Sequence, residues 1–416
     1  MGAAGTGPPY NLHMATSTLA AARAQAAGRA GGRRRTWGTR GSRVLFVVAA
    51  VVLLLCTSAA QQPGLRVEQV AGSRAFPLTD WLLARLAERS ERIALGLLGA
   101  RPVPTPDDRA NAAAYFAARP ADRAPLADGA ELALERSVAG ILRDEGLTRA
   151  APWTAWNGGP DSGQMLFPPV SFTFTAPPEV LIVSRRDRIE VVQSALLRPG
   201  LTDADAERLE ASTDALGYVS LVVPIGGLAT YPTMVLETNR PVDAAVAVTH
   251  EWLHGYLFFS PLGLRYWSSQ EARMINETTA EMLSWELGPR AARDLGLDTA
   301  PPPRPATPQP SMVQFRTMMR ETRVQFDGLL RAGKLDEADT YLQARRLDFV
   351  AAGWQMRKLN QAYFAFFGSY GDAAAGVNPI PRQLGWLRAA SGSPVEFLRR
   401  VGQLTSAADL ARAVGE

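Results

Sequence analysis

The chain predicts an α+β fold, and three observations carry that expectation. Toward both ends, apolar residues recur at three- and four-residue spacing, as on the buried stripe of a helix. Between about residues 170 and 237 the texture changes to period-two alternation and short apolar runs, as in strands. Proline and glycine clusters fall between these stretches rather than inside them. The expected architecture is a helical N-terminal layer, a small mixed sheet with flanking helices at the centre, and a helical C-terminal part.

Each element follows from its own residues. Over 76–150, Trp81, Leu82, Leu83, Leu86, Ile93 and Leu97 mark one helical run and Leu132, Leu134, Val138, Ile141 and Leu142 another, with Pro102, Pro104 and Pro106 between them. Residues 153–163 read as loop. Strands are expected at 170–175 and 179–184, then a helix from Asp203 to Leu216 with Thr202 as its N-cap. A third strand spans 218–224, and a fourth, 230–237, contains Pro232 and is therefore expected at a sheet edge. Pro241 suits the first turn of a helix running to about Leu257, and a second helix covers roughly Ala272 to Leu287. Six prolines make 299–310 a linker, after which 311–416 reads as helical, with a turn at Gly333.

The formal charge of +4 is not a property of the whole chain. Residues 1–43 hold seven arginines and no lysine, aspartate or glutamate; that +7 leaves −3 for residues 44–416. Nucleic acid is therefore not an expected partner: the basic charge belongs to an Ala/Gly/Arg-rich tail, expected to be disordered. After Arg43 comes an apolar stretch, 44–60, ending in small residues. It is either a secretory signal peptide or a signal-anchor transmembrane helix, and both alternatives place the body outside the cytoplasm, secreted or membrane-anchored. A single cysteine excludes a disulfide framework and a cysteine-based zinc cluster.

The chemistry concentrates in one place. The chain has three histidines, and the two beyond the tail lie in His250-Glu251-Trp252-Leu253-His254. Residues four apart share a helix face, so both imidazoles can reach one ion while Glu251 sits beside them. With so few histidines, His-Glu-x-x-His would arise by chance on the order of once in a thousand such chains. Neutral imidazoles suit Zn²⁺, and a neighbouring carboxylate can take a proton from activated water. No histidine follows His254, so a carboxylate must complete the site. Glu277 and Glu281 share a face of the next helix, with Asn276 beside them; Glu271 is a weaker rival, and Arg273 could pair with Glu277.

These residues resemble the gluzincins, the thermolysin-like metallopeptidases: His-Glu-x-x-His, then after 21 residues Asn276-Glu277, then an acid at Glu281. The resemblance covers only about residues 218–288, inside an expected catalytic core at 165–298, and the acid at 281 is Glu where Asp is common. It implies His250, His254 and Glu277 as zinc ligands, Glu251 as general base and Glu281 as the partner of a ligating histidine. It also implies a peptide or protein substrate lying along an edge strand. An oxyanion donor is needed as well, and Tyr256, Tyr266, Tyr363 and Tyr370 are the candidates. The expected function is zinc-dependent peptide-bond hydrolysis. The alternative is a non-proteolytic envelope scaffold that keeps the metal site.

Overall fold

A computed structural model describes residues 67–97, 103–150, 164–300, 311–368 and 379–416. It begins with helices α1 (Val67–Ala71), α2 (Leu78–Leu97), α3 (Pro106–Ala117) and α4 (Ala127–Asp144). Strands β1 (Arg149–Ala150), β2 (Gln164–Met165), β3 (Phe172–Phe174), β4 (Glu179–Ser184) and β5 (Gln193–Leu197) follow. Then come α5 (Asp203–Asp214), β6 (Val219–Pro224), β7 (Gly227–Leu228), β8 (Thr233–Val235), α6 (Pro241–Phe258), α7 (Pro261–Leu264) and α8 (Gln270–Asp294). The last are α9 (Met312–Arg331), α10 (Leu335–Ala351), α11 (Gln361–Phe367), α12 (Ile380–Ala389), α13 (Pro394–Gly402) and α14 (Ala407–Val414). The α+β expectation holds: small sheets lie between helical ends.

Local chemistry sets the helix starts. Thr105 and Thr202 close capping boxes with Asp108 and Asp205, so side chain and backbone satisfy each other's first-turn donors. Pro241 starts α6, where its missing N–H costs nothing, and the Ser269 hydroxyl accepts from the Ala272 amide at the start of α8. Helix α8 runs well past the expected Leu287, continuing through Pro289. The strand Gln193–Leu197 has no counterpart in the sequence expectation, because its polar start conceals the alternation.

Two three-stranded sheets carry the centre. In the antiparallel sheet β5-β4-β6 both faces are buried. Val180, Ile182, Leu221 and Val223 pack toward α9–α11, while Leu181, Val183 and Val222 join the cluster of Val67, Ala71 and Ala206 from α1 and α5. The other sheet has the order β3-β8-β7, parallel then antiparallel. This corrects the expectation that the strand containing Pro232 is an edge: Pro232 precedes the ladder, Thr233–Val235 is central, and Gly227–Leu228 forms the border.

The other sheet borders are closed by side chains or by chain. Glu135 and Glu131 of α4 accept from the Phe172 and Phe174 amides of β3 (3.0 and 2.7 Å). Glu210 accepts from Val222 N of β6 (2.7 Å), and Asn360 Nδ2 donates to Ser220 O (2.9 Å). Residues Arg74–Phe76 hydrogen-bond along β5. A paired edge offers no backbone groups to a second chain.

Helices α3, α4, α6, α8 and α12–α14 share one apolar core, whereas α9–α11 pack on the antiparallel sheet. The C-terminal helices are thus divided between two cores. The expectation of a transmembrane helix and membrane anchoring is also corrected: among the described residues no helix is long and apolar enough to cross a membrane. The tail at 1–43 and the signal or anchor at 44–60 lie outside the described residues, as do the loop at 153–163 and nearly all of the 299–310 linker.

Candidate metal centre

Helix α6 is apolar nearly all round, with Val242, Ala244, Ala245, Val246, Val248, Trp252, Leu253 and Leu257 buried, so it lies inside the molecule. Its polar residues are therefore held where water does not freely reach. Trp252 Nε1 donates to Pro168 O (2.8 Å), fixing one side of the helix to the segment before β3. Helix α8 crosses it at Gly288, where an added Cβ would stand 2.7 Å from Val246 Cα. That close crossing brings Glu277 and Glu281 of α8 opposite His250 and His254 of α6.

Three atoms face one another there. His250 Nε2 and His254 Nε2 are 3.0 Å apart, and Glu277 Oε2 lies 3.5 Å from the first and 3.4 Å from the second. Ligand atoms ~2.0–2.1 Å from a tetrahedral metal stand about 3.3 Å from each other, so the triangle fits a small divalent cation. Glu277 Oε2 is buried and has no hydrogen-bond partner, which a native interior rarely tolerates unless a ligand or ion supplies the missing contact. The buried His250–His254–Glu277 group could hold a metal ion.

Each side chain of the triangle is oriented from behind. His254 Nδ1 lies 2.7 Å from Asn276 Oδ1; an amide oxygen only accepts, so the proton sits on Nδ1 and Nε2 is free. His250 Nδ1 faces Glu281 Oε2 at 3.5 Å. The Tyr266 hydroxyl donates to Glu277 Oε1, leaving Oε2 to face the imidazoles. Glu251 stands one residue from His250, and Gly227 of β7 lies against its carboxylate: a Cβ there would come within 2.9 Å of Glu251 Cδ.

The charges are tightly coupled. Burial alone would lower the His250 pKa, but the Glu277 and Glu281 carboxylates outweigh it and hold it up at about 10. His254 is raised against the same burial penalty, by Glu277. Glu277 is held well below the usual carboxylate range, its burial overcome by His254 and His250. Burial raises Glu251, with the two histidines opposing.

The structure brings together His250, His254, Glu277 and Glu281, and sets Glu251 near enough for the two histidines and Glu277 to act on its charge. It does not bring Glu271, whose carboxylate accepts from Ala407 N. Arg273 does not turn to Glu277; its Nε donates to Tyr266 O and its guanidinium lies over the Tyr266 and Trp267 rings. Among the described candidate tyrosines, Tyr266 alone reaches the triangle, at Glu277. Tyr256 stacks on Trp252 and under Arg149, Tyr363 is buried in the other core with its pKa pushed up by that burial, and Tyr370 lies outside the described residues. Sequence reasoning missed Gly227, for which it had no signal, and the bond from Trp285 Nε1 to Glu281 Oε1 (2.8 Å), for which the i,i+4 spacing was one. No family model, curated protein or solved structure matches this chain.

Proposed function

We propose that the chain is a gluzincin-like zinc metallopeptidase whose metal ligands are His250, His254 and Glu277. The observation that carries this reading is the ligand triangle with the Glu251 carboxylate beside it and the β7 border next to that carboxylate. Two imidazoles and one carboxylate, backed by Asn276, Tyr266 and Glu281, form the donor set zinc takes when one coordination position stays open. Zinc supplies, when bound, the Lewis acidity that polarises a carbonyl and acidifies water.

The chain's own residues do the rest. Glu251, its pKa raised by burial, is poised to take the proton of the attacking water and to pass it to the leaving amine. Tyr266 commits its single O–H proton to Glu277 Oε1 and so holds that carboxylate in place. Strand β7 offers a sheet border next to Glu251, along which an extended peptide can lie as an added strand. The test is Glu251→Gln in the full chain against a mixed peptide library. Retained zinc with hydrolysis lost supports the reading; undiminished chelator-sensitive hydrolysis sinks it.

A further inference from the structure

The two acids on α8 are held in the same way. Each has one oxygen tied by an aromatic donor and the other turned toward a histidine. On Glu277 the donor is Tyr266. On Glu281 it is Trp285: the indole Nε1 donates to Oε1 at 2.8 Å, while Oε2 faces His250 Nδ1 at 3.5 Å. Glu281 is itself only 22% exposed, and Trp285 is half-buried, its ring packed against the core that α6 and α8 share. An indole N–H donates one bond and has no second direction to offer. It therefore fixes which carboxylate oxygen is left for His250.

Resting on the reading of His250, His254 and Glu277 as metal ligands, we propose that Trp285 is a positioning residue of the metal centre. The chain Trp285–Glu281–His250 sets the imidazole plane, and the plane sets where Nε2 points. Without the indole N–H, the Glu281 carboxylate can rotate about its last bond, and its Oε2 no longer stays opposite His250 Nδ1. Outer partners of this kind contribute about 10- to 100-fold in metal affinity when they contact the ligand. Trp285 is one bond further out, so about tenfold is expected.

The same indole could instead be an ordinary i,i+4 partner on a helix flank, contributing packing alone. Four full-length chains separate the two: wild type, Trp285→Phe, Glu281→Ala and the double variant, each titrated with zinc against a competing chelator. Thermal unfolding of the zinc-free proteins is followed in parallel. Trp285→Phe should weaken zinc binding about tenfold while leaving the zinc-free melting temperature nearly unchanged, and should weaken it no further in the Glu281→Ala background. Trp285→Leu, a second packing variant, should behave alike. Wild-type affinity in both Trp285 variants, or a loss that adds in full to that of Glu281→Ala, overturns the proposal. Wild type that binds no zinc overturns the metal centre itself, and this proposal with it.

Discussion

Gly288 and Val246 mark the point where α8 and α6 touch backbone to backbone: a Cβ on Gly288 would meet Val246 Cα at 2.7 Å and its amide nitrogen at 2.8 Å. Both atoms belong to a helix backbone, which cannot swing aside. The ligand triangle lies further along the same crossing, so its 3.0–3.5 Å edges depend on this contact. Gly288→Ala should cost about 1–3 kcal/mol in denaturant unfolding and weaken zinc binding. Gly385 of α12, with open space around its Cβ, is the control: Gly385→Ala should be neutral or stabilise by up to about 1 kcal/mol.

Zinc binding should release protons. With His250 held up at about 10, its imidazole carries a second proton near neutral pH in the metal-free chain, and zinc must displace it. Calorimetry in buffers of different ionisation enthalpy should show that release, and affinity should fall as pH falls. In the metal-free chain the sign for stability is opposite. The raised His250 contributes stability below about pH 6.5, and that contribution fades as pH rises toward 10.

Glu135 makes a pH dependence away from the metal. It is buried against β3, and that burial, opposed by Arg89 and Arg92, pushes its pKa up to about 7. A carboxyl raised above its unfolded value binds its proton more tightly in the fold, so stability falls as pH rises from about 4.5 to 7. Glu135→Gln can still accept from Phe172 N through its amide oxygen. It should flatten that part of the stability profile and raise stability above pH 7; an unchanged profile would mean Glu135 is ionised throughout.

Tyr266→Phe removes the hydroxyl from Glu277 Oε1 and keeps the ring beside His254 and under Arg273. Zinc affinity should fall about 10- to 100-fold. At saturating zinc, hydrolysis should return to the wild-type rate, because the hydroxyl's one proton holds Glu277; a rate that stays low under saturation would mean the hydroxyl leaves Glu277 to serve the oxyanion.

The candidate-site residues were legible because helical spacing is rigid. Residues four apart share a face wherever the helix sits, so His250 with His254 and Glu277 with Glu281 could be paired before any fold was known. What spacing cannot encode is which face meets which. The close pass at Gly288, the glycine at 227 against Glu251 and the Tyr266 hydroxyl on Glu277 are long-range contacts, visible only once two elements cross. The same limit misplaced the strand edge: Pro232 reads as an edge signal, but it stands just before a central strand. Arg273, one turn from Glu277, was open to a local ion pair; tertiary packing turned it to Tyr266 instead.

The most direct test of the metal centre is a crystal structure of the zinc-loaded full chain with anomalous data at the zinc edge. The expected result is one ion bound by His250 Nε2, His254 Nε2 and Glu277 Oε2 at ~2.0–2.2 Å, with a fourth position open. Zinc bound elsewhere, or Glu277 turned away from an ion held by the histidines, would contradict it.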